Sequence, residues 1–320
     1  MFGLNDLESE IIILEDSLKC PIKNCTNYVK IQKGKFSRTT PFYCPKHCIY
    51  ISPSTYEYKY EKDNLVDDSE EEIKLLQNIK KYKRECRLSR ERSEDAVTWN
   101  VFRFLTKTLL LQKFLNSVFQ DKTKILDTIF WSVSIKDMKP WPILNEAREL
   151  FGETVTRGTE PDFVIETEDV LYFIEAKITA SNKTPSKSEI SEKKNNPKKY
   201  ITADNSFFNN LFSMSYEEIL DKQMYELMRL WLLGNWIAKE RKKKFYLINL
   251  VPEKKEENIE EDFGSVINQN KENRIFKRIT WESIYYFIKN NSESREIIKY
   301  FENKSFGYSN KKLCKGFLLN

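Results

Sequence analysis

The chain has 320 residues, 40% hydrophobic and 13% aromatic, too apolar for a disordered polymer and long enough for one large domain with an appendage or two unequal domains. Against 53 Lys and Arg stand 48 Asp and Glu, a net charge of +5 that by itself requires no anionic partner. The single histidine, His47, argues against Ser-His-Asp triads, Cys-His pairs, histidine-rich zinc hydrolases and His-Asn-His nucleases, so carboxylates and lysines are expected to carry any chemistry.

No apolar run reaches the length of a membrane span, and the opening MFGLNDLESE lacks a basic start followed by a hydrophobic stretch. No membrane partner is expected, and the expected location is the cytoplasm. Cysteines in that reducing compartment suggest metal more than disulfides. Residues 1–60 read as a small loop-rich zinc module, with Cys20, four residues, Cys25, eighteen residues, Cys44, two residues and His47 forming two knuckles. Cys48 competes with His47 for the fourth place. Residues 61–92 are acidic around DDSEEE and then basic from Lys80 to Arg92, a linker running into an exposed helix. On it Lys83, Arg84, Arg87 and Arg90 are expected to meet nucleic-acid phosphates, against the alternative of a merely solvated helix.

Residues 93–252 have the patterning of a folded core. Ser93 is a good N-cap, with Glu94 and Asp95 in the first turn of a helix expected to run on to Leu111. Strand is expected over 129–135, a short helix over Ile143 to Phe151 closed by Gly152, a loop or lid over Lys183 to Lys199, and one buried helix from Tyr216 to Lys239. KKKFYLINLVP predicts a further strand. Residues 253–320 read as a strand-and-helix extension, IFKRITWESIYYFIKN.

The informative stretch is RGTEPDFVIETEDVLYFIEAKI, Arg157 to Ile178. Its period of two predicts a hairpin turning at Glu168 and Asp169. Glu175 and Lys177 share one face of a strand that is otherwise apolar, and a register pairing Thr167 with Val170 sets Asp162 opposite Glu175. Opposed carboxylates repel unless something positive lies between them, and hard oxygen ligands suit Mg²⁺ or Mn²⁺. Lys177 is then placed to orient water or to offset charge on a phosphate.

Pro161-Asp162, twelve intervening residues and Glu175-Ala176-Lys177 resemble the PD-(D/E)xK nuclease superfamily. The resemblance implies an α/β restriction-endonuclease-like core with a mixed central sheet flanked by helices. It further implies Mg²⁺-dependent phosphodiester hydrolysis, Asp162 and Glu175 as metal ligands, and Lys177 as catalytic lysine. A preceding helix often supplies another acid, here Glu94 or Asp95, with Glu94 preferred. Some such families follow the core with a helix bearing a Gln; DKQMYELMRLW instead has Glu226 at the expected place, and Gln223 and Arg229 read as packing and solvent positions. The expected activity is a metal-dependent DNA endonuclease of restriction or host-defence type, with DNA as partner and a homodimer as the assembly considered. Alternatives are an inactive nucleic-acid-binding protein using the zinc module and basic helix, an RNA nuclease, and a protein whose zinc module binds another polypeptide.

Overall fold

The computed structural model describes residues 1–83, 85–154, 158–194, 199–201 and 206–319. Arg84 and Arg157 lie outside them. The chain is α/β, built around one mixed six-stranded sheet. Across the sheet the strands are Arg274–Thr280, Lys244–Val251, Val170–Ala176, Phe163–Thr167, Ile125–Phe130 and Val133–Ser134. The first three run parallel, and every later neighbour is antiparallel.

Sequence patterning explains the centre of this sheet. Every residue of Phe163–Thr167 and Val170–Ala176 is buried, as suits apolar strands covered on both faces. The turn is closed by Thr167, whose Oγ1 accepts from Val170 N at 3.0 Å. Val170–Ala176 and Lys244–Val251 are parallel, and parallel neighbours need a crossover. That connection includes the helix Tyr225–Glu240, which buries Leu227, Leu230, Trp231 and Ile237.

Gly234 lets the helix approach the sheet, because a Cβ there would lie 2.1 Å from the Phe245 ring. Gly234→Ala gains about 1 kcal/mol of helix propensity but is expected to lose roughly 1–3 kcal/mol by overpacking. The net result should be a lower midpoint in denaturant melting.

The chain divides into two compact units, and the division differs from 1–60, 61–92, 93–252 and 253–320. One unit holds Met1–Leu75, Cys86–Leu111 and Trp281–Asn320; the other holds Leu76–Glu85 and Gln112–Thr280. The strand Arg274–Thr280 belongs to the sheet because it pairs with Lys244–Val251. The segment after it folds with the amino-terminal module: Ile11 N donates to Lys311 O, and Tyr308 N to Ser54 O, each at 2.8 Å. Two small three-stranded sheets, Ile13–Leu14 with Ser17–Lys19 and Tyr28–Lys30, and Tyr43–Cys44 with Ile49–Ile51 and Tyr56–Tyr58, carry the cysteine knuckles.

Three expected helices differ. The helix begun by Ser93, whose Oγ accepts from Ala96 N at 3.1 Å, spans Glu94–Lys107 and breaks at Leu109, φ 59°. A separate helix, Leu110–Phe119, follows. The helix expected over 216–239 is two, Tyr216–Asp221 and Tyr225–Glu240, separated by Gln223 at φ 57°; Tyr225 N donates to Thr184 O instead of continuing the first helix. Among the described residues the basic run forms no helix of its own: helix Glu70–Lys80 ends where the run begins. Residues 88–92 form turns around a single antiparallel bridge of Arg90 with Glu57, where Tyr58 N donates to Ser89 O at 2.8 Å and Glu91 N to Tyr56 O at 3.1 Å. The acidic segment is more than a linker, since buried Glu72 meets Arg103 at 2.7 Å. The expected 183–199 loop contains a short helix, Lys187–Lys194.

Candidate active site and metal centre

In the first unit the knuckle turns bring Cys20, Cys25, Cys44 and His47 together, with one ligand atom of each within 4.8 Å of the others. Tetrahedral zinc, with Zn–S about 2.3 Å and Zn–N about 2.0 Å, sets neighbouring ligand atoms about 3.6–3.8 Å apart. Cys25 Sγ and Cys44 Sγ are 3.9 Å apart. Cys20 Sγ lies 3.5 Å and Cys44 Sγ 3.7 Å from His47 Nδ1. The cluster is therefore compatible with zinc.

Asn27 Nδ2 donates to Cys44 Sγ at 3.4 Å. The Cys20 thiol, then Asn27 and His47, push Cys44 down to about 4 against the opposing effect of burial. The competition between His47 and Cys48 resolves toward His47. Cys48 has φ 53° and its Sγ donates to Pro45 O at 3.7 Å, outside the cluster.

In the second unit the hairpin register pairs Ile174 with Phe163 and Leu171 with Glu166. One further step sets Glu175 opposite Asp162, the register expected from sequence. Asp162 Oδ2 accepts from Ala176 N at 2.8 Å, which fixes the carboxylate against the neighbouring strand. Lys177 N donates to Leu250 O at 2.8 Å, and its Nζ donates to Glu175 Oε1 and lies 3.6 Å from Glu226 Oε2. Asp162, Glu175, Lys177 and Glu226 thus form one cluster. Glu175 is 4% exposed. Burial holds its carboxyl well above the ordinary carboxylate range, with Asp162 and Glu226 adding to that and Lys177 opposing it. A carboxylate pair of this kind offers the hard oxygen donors that Mg²⁺ or Mn²⁺ takes.

The chain ahead of Asp162 is clamped. Thr159 donates through N and Oγ1 to the buried Glu153 carboxylate. Arg229 Nε lies 3.1 Å from Glu153 Oε1 and 2.9 Å from Thr159 Oγ1. Arg148 donates from Nε to Thr159 O at 2.9 Å and from Nη2 to Ser132 Oγ at 2.8 Å. Arg229, expected to pack or meet solvent, is therefore an ion-pair partner. Arg229→Met should cost about 3 kcal/mol, because it strands Glu153 as a buried charge; urea melting measures it.

A family description, Restriction Endonuclease associating with ARP, matches residues 27–305. The chain belongs to this family. No curated protein and no solved structure matches it. The matched span of this restriction-endonuclease family member includes Cys44, His47 and every residue of the Asp162 cluster, and starts after Cys20 and Cys25.

The remaining predicted residues of this family member belong to both units. Glu94 and Asp95 occupy the first turn of their helix in the first unit, where Asp95 Oδ2 accepts from Arg87 N at 3.0 Å. Lys83, in the second unit, pairs with Glu160 at 3.2 Å and stands 4.5 Å over the Trp131 ring. Arg90, in the first, pairs with Glu57 at 2.7 Å. Arg84 lies outside the described residues.

Sequence reasoning missed Asn249, opposite Glu175 on the parallel strand. Its Nδ2 donates to Glu256 at 2.8 Å and its Oδ1 accepts from Asn182 at 2.7 Å. Despite burial, hydrogen bonds from Asn182 and Asn249 keep the Glu256 carboxyl below the usual range. An Asn amid the apolar run FYLINLV was the signal. Among the described residues no helix is long and apolar enough to cross a membrane.

Proposed function

We propose that the second unit is a divalent-metal-dependent endonuclease that hydrolyses DNA phosphodiesters with water as nucleophile. The observation that carries the reading is the convergence of Asp162, Glu175 and Lys177 on adjoining strands of a restriction-endonuclease family member. Asp162 and Glu175 would hold Mg²⁺ or Mn²⁺. Bound there, the cation would polarise a phosphate and lower the pKa of an attacking water.

Lys177 orients that water and offsets charge developing on the phosphate oxygens. Ala176 N keeps Asp162 turned toward Glu175, and the Glu153–Arg229 pair keeps its segment from drifting. The proposal rests on second-unit residues and assigns Glu94 and Asp95 no step. Zinc at Cys20, Cys25, Cys44 and His47 is structural in this reading. A homodimer, which would bring one such site to each strand of a duplex, belongs with this reading.

The family's description names association with ARP, and we extend that association to this chain, in a restriction or host-defence setting. The test is incubation with supercoiled plasmid, single-stranded DNA and RNA in Mg²⁺, Mn²⁺ or EDTA. Cleavage of DNA that EDTA abolishes is expected. Cleavage of RNA alone would transfer the reading to a ribonuclease, and no cleavage of any substrate would overturn it.

A further inference from the structure

The Lys177 ammonium lies between two carboxylates of unequal exposure, the Glu175 side chain at 5% and Glu226 at 35%. The two acids come from different elements. Glu175 is the penultimate residue of the central strand Val170–Ala176, whereas Glu226 sits in the first turn of Tyr225–Glu240.

That helix start is tied down. Tyr225 N donates to Thr184 O at 2.9 Å, Glu226 N to Thr184 Oγ1 at 3.3 Å, and Gln223 Nε2 to Pro185 O at 2.9 Å. One turn on, Arg229 is anchored to Glu153. The backbone that carries Glu226 is therefore held by contacts that do not involve Lys177.

A divalent cation on Glu175 and an ammonium on the same buried carboxylate compete, since two positive groups cannot share its oxygens at hydrogen-bond distance without repulsion. From 3.6 Å, Lys177 Nζ reaches a charge-assisted hydrogen bond to Glu226 by moving about 0.8 Å. Resting on the metal reading of Asp162 and Glu175, we propose that Glu226 is a positioning residue that takes over the Lys177 ammonium when a divalent cation takes Glu175. The lysine then stays beside the phosphate instead of being driven away from the cation. Glu226 acts through Lys177 and is not a metal ligand, so it gives the acid standing in place of the expected Gln a role of its own.

Mn²⁺ affinity of four proteins tests this: wild type, Glu226→Gln, Lys177→Ala and the double variant, each first shown to melt cooperatively. Glu226→Gln is expected to weaken Mn²⁺ about three- to tenfold where Lys177 is present, the scale of one partly exposed charge. It should change nothing in the Lys177→Ala background. Glu226→Asp, which keeps the charge, should retain most of the affinity. Equal weakening in both backgrounds would make Glu226 a ligand, and no weakening in either would make it a bystander; both overturn the proposal. Failure of the wild type to bind Mn²⁺ would instead sink the metal reading of Asp162 and Glu175, and this inference with it.

Discussion

Asp162→Asn and Glu175→Gln are each expected to lower metal-dependent cleavage about 100- to 1,000-fold, the scale of removing one dedicated electrostatic group from an active site. Both should also weaken Mn²⁺ binding. Neither should unfold the protein. Burial and the neighbouring carboxylates outweigh Lys177 at Glu175 and hold its carboxyl above the usual range, so the ionised form costs stability in the fold. Glu175→Gln removes that cost while Glu226 remains beside Lys177, and its melting temperature should equal or exceed that of the wild type. Lys177→Ala should lose cleavage to a similar degree and keep Mn²⁺ binding, because its ammonium acts on water and phosphate. If these side chains were only a solvated salt-bridge cluster, all three variants would lose a little stability and keep full activity. Melting, Mn²⁺ titration and nicking on the three proteins separate the two accounts.

Cys44→Ser is expected to abolish zinc retention and melt the amino-terminal module. Cys44 lies within 3.9 Å of Cys25 Sγ and 3.7 Å of His47 Nδ1, so its loss opens the tetrahedron. Structural zinc contributes roughly 10–16 kcal/mol of apparent binding energy in small modules, comparable to the whole stability of a domain. Cys48→Ser should leave zinc content and melting unchanged, since its thiol meets the Pro45 carbonyl and the Tyr43 side chain and stands outside the cluster. Stoichiometric zinc in the purified Cys44→Ser protein would contradict this assignment.

Much of the site was legible because strand geometry is strict. Alternation puts Glu175 and Lys177 on one face, and a two-residue turn leaves a single register, so Asp162 opposite Glu175 follows from counting. The zinc cluster was legible for a related reason: three thiols and an imidazole at knuckle spacing form the donor set that tetrahedral zinc takes. The basic run was misread because charge density says nothing of backbone pairing. Ser89 and Glu91 are claimed by the strand Tyr56–Tyr58, a partner about thirty residues away that no local period reveals.

The same limit hid the Glu153–Arg229 pair and the Asn182–Asn249–Glu256 network, whose members come from separate elements. Gln223 broke the expected 216–239 helix through contacts with the Thr184-Pro185 segment, again a tertiary claim overriding helical periodicity. Glu226 was seen only as a departure from an expected Gln. Its contact with Lys177 needs the helix start and the strand end in one place.

The most direct measurement is nicking of supercoiled plasmid in Mg²⁺ by the wild type and by Lys177→Ala, purified side by side and matched for zinc content and melting. The account predicts relaxed and linear DNA with the wild type, none in EDTA, and at least about a hundredfold slower nicking by Lys177→Ala. Wild-type rates from Lys177→Ala would contradict it.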